Sequence, residues 1–233
     1  MAIYAISDLH LSFNTNKPMN IFGNNWEEHY KKIKEDWLKK VQETDTVLLP
    51  GDFSWAINFE EAVPDFEYLN SLPGRKIMLK GNHDYWWGTA NKINEFLEKN
   101  KFKNIEILYN NSLLVENNII SGTRGWTIFN NNEENEKIMK RELIRLEISL
   151  KDGINKFGSD KTITVCMHYP PTNEILMENS EFIKIMKKYN VQKCIYGHLH
   201  GKAHKEAIQG NVGGIELQLV SCDFTDFKLI KLK

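Results

Sequence analysis

Seven side chains able to ligate a metal ion, Asp8, His10, Asp52, Asn82, His168, His198 and His200, fall in five short blocks spread over 200 residues. The blocks read Asp8-Leu9-His10, Gly51-Asp52, Gly81-Asn82-His83-Asp84, His168, and Gly197-His198-Leu199-His200. In Asp-x-His and His-x-His the two side chains are two positions apart, so in an extended segment they point the same way and can reach one site or two adjacent ones. Carboxylate, carboxamide and imidazole donors with no thiolate suit Mn²⁺, Fe or Zn²⁺ better than Ca²⁺ or Mg²⁺ alone. Seven donors exceed what one tetrahedral ion needs and fit two ions sharing a carboxylate. Taken singly, each block is ordinary: Asp-x-His can cap a helix, Gly-Asn-His-Asp can be a turn, and His198-x-His200 can be a solvated strand end. Their order and placement give the set its weight. Of the remaining histidines, His29 and His204 are assigned to structure or surface.

Each block follows an apolar run of strand character. These runs are Ala2 to Ser7, Thr46 to Leu49, Lys76 to Leu79, Thr162 to Met167 and Lys193 to Tyr196. In open α/β sheets, sites gather in the crevice beyond the carboxyl ends of the strands, so loops distant in sequence can converge there. Glycines 51, 81 and 197 permit the tight turns such convergence needs. Between the strands, helical periodicity appears at Trp26, Tyr30, Ile33, Trp37 and Val41, over Phe59 to Leu72 despite Pro64, over Asn91 to Asn100, over Asn132 to Leu150 and over Ser180 to Tyr189. Short strands are expected at Ile105 to Leu108, Ser112 to Glu116 and Ile119 to Gly122, and again in the tail from Gly210. Ser12 to Asn25 reads as a loop, and Asn130-Asn131-Asn132 as a loop tip. The alternation predicts one α/β layered domain over residues 1–233, partly parallel and partly antiparallel.

As a set, the five blocks resemble those of the calcineurin-like metallophosphoesterase superfamily. The flanking Gly51-Asp52-Phe53-Ser54-Trp55 and Asp84-Tyr85-Trp86-Trp87 resemble a bacterial branch of predicted phosphohydrolases. One departure is at the fourth block, where Met167 precedes His168 and many members have glycine. The resemblance implies a four-layer sandwich of two mixed β-sheets flanked by helices. It implies two divalent transition-metal ions, Mn first, with Fe, Zn, Ni or Co as the other candidates. It also implies that Asp8, His10 and His200 hold one ion, Asn82, His168 and His198 the other, that Asp52 bridges them, and that His83 stays free of both.

Two adjacent ions would clamp a phosphoryl group and yield a bridging hydroxide near neutral pH. The departing alkoxide needs a proton, and His83 is the candidate general acid because imidazolium titrates near working pH. Asp84 would orient that ring and raise its pKa, or cap the following helix. Arg124, in the glycine-flanked run Ser121 to Trp126, is a candidate phosphate contact. Trp55, Trp86 and Trp87 would either wall the pocket or pack in the core, and the loop carrying Lys17 would overhang the site.

Thirty basic residues against 31 acidic ones give no bulk attraction to nucleic acid or a membrane surface. The expected partner is a small phosphorylated substrate. No apolar stretch has the length of a membrane span, and Met1 to Asp8 has no basic leader. Cys166, Cys194 and Cys222, an odd number at wide spacing, are expected as buried reduced thiols of a cytoplasmic protein. The competing reading is a metal-bearing scaffold that binds a partner without catalysis. A third is a module whose metals only stabilise the fold.

Overall fold

The apolar runs do become strands, and their register sets every carboxyl end at one edge. The computed structural model describes residues 1–127 and 132–233. In the first sheet β1 (Ile3–Ala5), β2 (Thr46–Pro50), β3 (Arg75–Leu79) and β4 (Ile105–Ile107) run parallel. In the second, β6 (Asn118–Thr123), β7 (Thr162–Met167), β8 (Lys193–Tyr196) and β10 (Ile215–Leu219) do the same. Each sheet is closed by antiparallel edges: β11 (Ile230–Lys231) beside β1, β5 (Leu113–Val115) beside β6, and β9 (Gly210–Val212) beside β10. The orders are β11-β1-β2-β3-β4 and β5-β6-β7-β8-β10-β9. Pro50 pairs with Leu79 at the end of one sheet, and Thr123, Met167 and Tyr196 line up at the end of the other.

The two sheets face each other through a layer of apolar side chains, among them Ile3, Ala5, Leu48 and Ile77 from the first and Ile120, Cys166, Ile195 and Val220 from the second. Outside the first sheet pack α1 (His29–Lys40), α2 (Phe59–Asn70) and α3 (Ala90–Lys99), through Trp37, Phe66 and Ile93. Outside the second pack α4 (Glu133–Phe157) and α5 (Glu181–Lys188), through Leu146, Leu150, Phe182 and Met186. Each such apolar side chain removed from water contributes roughly 1.5–3 kcal/mol. This is the expected four-layer arrangement of two mixed sheets between helices. Beyond the strand ends the sheets are tied together: the Ser7 N–H donates to the Val220 carbonyl at 2.8 Å and the Cys222 N–H to the Ser7 carbonyl at 3.0 Å. That seam draws the two carboxyl edges into one crevice.

Two helix boundaries differ by several residues from the sequence expectation. The first helix begins at His29 and not at Trp26, because residues 24–26 form a separate 3₁₀ turn and Glu28 takes a left-handed φ of 47°. Pro64 sits inside α2, whose start is capped by the Asn58 side chain accepting from the Glu61 N–H at 2.9 Å. The fourth helix continues past Leu150 to Phe157 through Gly153. A Cβ at Gly153 would collide with Ile119 and Ser112, so the residue that disfavours a helix is the one that lets α4 lie close on β6. Asn130 and Asn131, expected in a loop tip, lie outside the described residues; Asn132 is the N-cap of α4. All three cysteines are buried and unbridged. Among the described residues no helix is long and apolar enough to cross a membrane.

Candidate metal centre

The seven expected donors meet in the crevice beyond the strand ends. Asp8 and His10 follow β1, Asp52 follows β2, Asn82 follows β3, His168 follows β7, and His198 and His200 follow β8. Around one point gather Asp8 Oδ1, 3.3 Å from His200 Nε2, and His10 Nε2, also 3.3 Å from His200 Nε2. Around a second gather Asn82 Oδ1, His168 Nε2 at 2.6 Å from it and His198 Nδ1 at 2.9 Å. Asp52 Oδ2 stands between them, 3.8 Å from His10 Nε2 and 3.4 Å from His168 Nε2. Asp8, His10 and His200, and Asp8, Asp52 and His168, form compact groups able to hold a cation.

Local backbone strain accompanies this convergence. Asp8, His10, Asp52 and His198 all have left-handed φ values between 45° and 73°, a region most side chains avoid and one that clusters at functional sites. Two glycines make the approach possible. A Cβ on Gly81 would strike the Asp52 carboxylate and backbone nitrogen, and one on Gly197 would strike the Asp8 carboxylate and the Ser7 hydroxyl.

The electrostatics fit a cation. Asp8, Asp52 and Asp84 are all buried. Burial pushes the Asp52 carboxyl well above the usual range, and the neighbouring Asp8 and Asp84 push it further. Burial holds His168 down to about 3 and His198 to about 4, so both rings are neutral lone-pair donors. Burial would also lower His200, but Asp8 and Asp223 override it and raise that ring to about 10. Among these protein groups alone, a proton on His200 supplies the only strong positive charge between the carboxylates; a bound metal ion would take its place. The outer ring nitrogens are held as metal-ligating imidazoles usually are: His200 Nδ1 donates to Asp223 Oδ1 at 2.8 Å, and His168 Nδ1 to the Pro50 carbonyl at 3.2 Å. His10 differs from these two, its buried Nδ1 having no partner among the described residues.

Asp223 was not singled out in the sequence. Besides His200 it accepts the Gly201 N–H at 3.0 Å and lies 3.2 Å from His204 Nε2, so His204 is drawn to the edge of the site. The signal was present: Asp223 ends the apolar run after β10 as the other acids end theirs. Two serines outside the five blocks also serve Asp8. Ser7 and Ser221 both donate hydroxyls to its Oδ2, the latter at 3.0 Å. His29, buried, bonds the Leu9 and Trp26 carbonyls and serves the fold.

Asp84 does something other than orient His83 or cap a helix. Its carboxylate accepts N–H groups from Asp52 at 3.0 Å, Phe53 at 2.9 Å, Ser54 at 3.2 Å and Gly81 at 2.7 Å, plus the Trp86 indole at 3.2 Å. It pins the two loops that carry Asp52 and Asn82. The helix cap belongs to Thr89. His83 is anchored by its own N–H, which donates to Asp52 Oδ1 at 2.8 Å. Its ring rests on Trp55, centroids 4.4 Å apart, with Tyr85 Oη 3.4 Å from Nδ1. Burial, then His200 and Lys17, lower its pKa, the reverse of the rise expected from Asp84. Trp55 also stacks on His10 at 5.0 Å, and Lys17 of the overhanging loop lies over the same indole at 5.6 Å. Trp86 is core, edge-on to Phe66. Arg124 lies beside the centre: its carbonyl accepts the His168 and Tyr169 N–H groups, while its guanidinium covers Trp126 at 4.6 Å.

Comparison with known proteins agrees with this geometry. A model of the calcineurin-like phosphoesterase family matches residues 1–202. No curated protein matches the chain. Among solved structures, a protein of unknown function, AQ665 of Aquifex aeolicus, is similar at 20% identity and a TM-score of 0.51, over 99% of this chain and 95% of its own. TT1561 of Thermus thermophilus is similar at 12% identity and a TM-score of 0.58, over 98% and 96%. At such identities the likeness is one of fold.

Proposed function

Since this chain belongs to the calcineurin-like phosphoesterase family, we propose that it hydrolyses esters of a small phosphorylated substrate at a pair of divalent metal ions. Asp8, His10 and His200 would hold one ion, Asn82, His168 and His198 the other, and Asp52 both. The observation that carries this reading is the position of Asp52 Oδ2, within 4 Å of an imidazole nitrogen from each group. When bound, the ions supply positive charge against the phosphoryl oxygens and favour ionised water as the nucleophile. Nitrogen and oxygen donors without thiolate favour Mn²⁺, with Fe, Zn²⁺, Ni²⁺ or Co²⁺ also suited.

The remaining work falls to the chain's own groups. His83, held against Trp55, is the group placed to give a proton to the leaving oxygen. Its lowered pKa favours the neutral ring at rest, and a phosphate anion beside it would oppose that shift. Trp55 keeps the His10 and His83 rings in place. Asp84 fixes the loops that present Asp52 and Asn82. The full donor set, together with an unligated histidine at the mouth, supports hydrolysis over a scaffold that only binds.

The test is an activity panel. Metal-stripped protein is reloaded with each candidate ion and assayed on an aryl phosphate monoester and the matching diester, with bound metal counted per chain. Hydrolysis with two ions per chain is expected. No turnover under any loading, or uptake of a single ion, would overturn the proposal.

A further inference from the structure

Beside the metal centre lies a second cavity, of about 470 Å³, between the ends of β3, β4 and β6 and the flank of α4. Lys80, Lys92, Arg124, Arg141 and Arg145 line it, against one carboxylate, Glu142. That carboxylate is committed: it takes Arg145 Nη1 at 2.8 Å, Arg141 Nε at 3.3 Å and the Thr123 hydroxyl at 2.7 Å. Lys80 and Arg124 feel Glu142 only at a distance, and neither they nor Lys92 make an ion pair at contact distance among the described residues. Two of the lining residues, Arg124 and Trp87, also carry a buried side-chain N–H, Nε and Nε1, with no hydrogen-bond partner among the described residues. Buried donors are seldom left unmet in native proteins, and cations crowded on one counter-charge repel each other. The repulsion is removed by one occupant, an anion with several acceptor oxygens, for which a planar guanidinium is suited.

The cavity adjoins the ligands of the second ion. Lys80 precedes Asn82 by two residues, and the Arg124 carbonyl accepts the His168 N–H at 3.1 Å. We propose that it receives a second phosphoryl group of the substrate, so that the molecule hydrolysed carries two phosphate groups joined by a short spacer. This rests on the phosphoesterase reading and narrows it from simple monoesters to bisphosphorylated small molecules.

The experiment compares kcat/KM of the metal-loaded enzyme for alkanediol bisphosphates of increasing chain length with those for the monophosphates of the same diols. A length-dependent preference for the bisphosphate of roughly tenfold or more is expected, carried by KM, the size of a charge-assisted hydrogen bond. The ratio should fall towards one in Arg124→Gln and in Lys92→Gln/Arg141→Gln; the latter pair alters only exposed side chains. A ratio near one at every length in the wild type, or a preference that both variants keep, overturns the proposal. Inorganic phosphate that binds the cavity without any bisphosphate preference also overturns it, by making the site one for a free anion. If no ester is hydrolysed under any metal loading, the phosphoesterase reading falls. The cavity is then judged by calorimetric titration with inorganic phosphate: binding weakened in both variants upholds it as a phosphate site, and binding unaffected by them overturns it.

Discussion

Asp84→Asn separates what the site's geometry says from what its sequence suggested. Asp84 Oδ1 accepts the Phe53 and Ser54 N–H groups and the Trp86 indole, and Oδ2 accepts those of Asp52 and Gly81. An amide of the same shape keeps one acceptor oxygen and turns the other into an NH₂. The less costly orientation retains the three Oδ1 bonds and leaves two buried N–H groups facing a donor. At roughly 1–3 kcal/mol for each orphaned buried group, the loss is about 2–6 kcal/mol. Burial pushes the Asp84 carboxyl above its usual range, so neutralising it recovers part of the desolvation cost and draws the result towards the lower figure. Because the two orphaned groups belong to Asp52 and to the residue before Asn82, metal affinity should fall as well. The assay is chemical unfolding of metal-stripped protein, paired with metal titration of the folded fraction. Stability unchanged within about 1 kcal/mol, both ions bound at wild-type affinity and only turnover reduced would refute the loop-clamp reasoning and restore Asp84 as a partner of His83.

Other consequences are open to measurement. His83→Ala should retain both ions and lower turnover roughly 10²–10⁴-fold on an alkyl phosphate; an unchanged rate on that poor leaving group would remove His83 from proton transfer. Asp223→Ala removes the acceptor of His200 Nδ1 and should weaken metal binding roughly 10–100-fold in competition with a chelator; undiminished affinity would make Asp223 incidental. Asp65, buried on α2 beneath the Phe13 N–H and the Ser54 hydroxyl, has its carboxyl raised by burial from 3.8 to about 6. The folded state binds this proton more tightly than the unfolded chain, so stability is lost as pH rises through that interval, by up to about 3 kcal/mol. Asp65→Asn should abolish that slope; a stability difference between variant and wild type that stays constant from acid to neutral pH would show that Asp65 ionises freely.

Much of this was legible in the chain itself. The apolar runs before Asp8, Asp52, Asn82, His168 and His198 announced strands, and ligand-type residues at their ends announced a shared edge, because hydrophobic periodicity and chain order are local properties. The amphipathic spacing of Ile33 and Trp37 announced α1 in the same way. What failed was where the outcome depended on a partner far away. The helix expected to stop at Leu150 runs on through Gly153, and the reason is visible only when Ile119 and Ser112 are seen against it. Asp84 reads as a neighbour of His83 until the loop from Asp52 to Ser54 is seen folded around it. Asp223 ends an apolar run as the other acids do but has no histidine beside it, and its role rests on a ring 23 residues earlier.

Periodicity and side-chain chemistry thus determined the alternating α/β layering and the donor set, both written residue by residue, while the four-layer sandwich and the bridging place of Asp52 were implied by the family resemblance. Only the tertiary structure decided which acid clamps loops, and that five cations share a cavity beside the donors. Those assignments are made by burial and distance, which exist only once the two sheet edges have closed on each other.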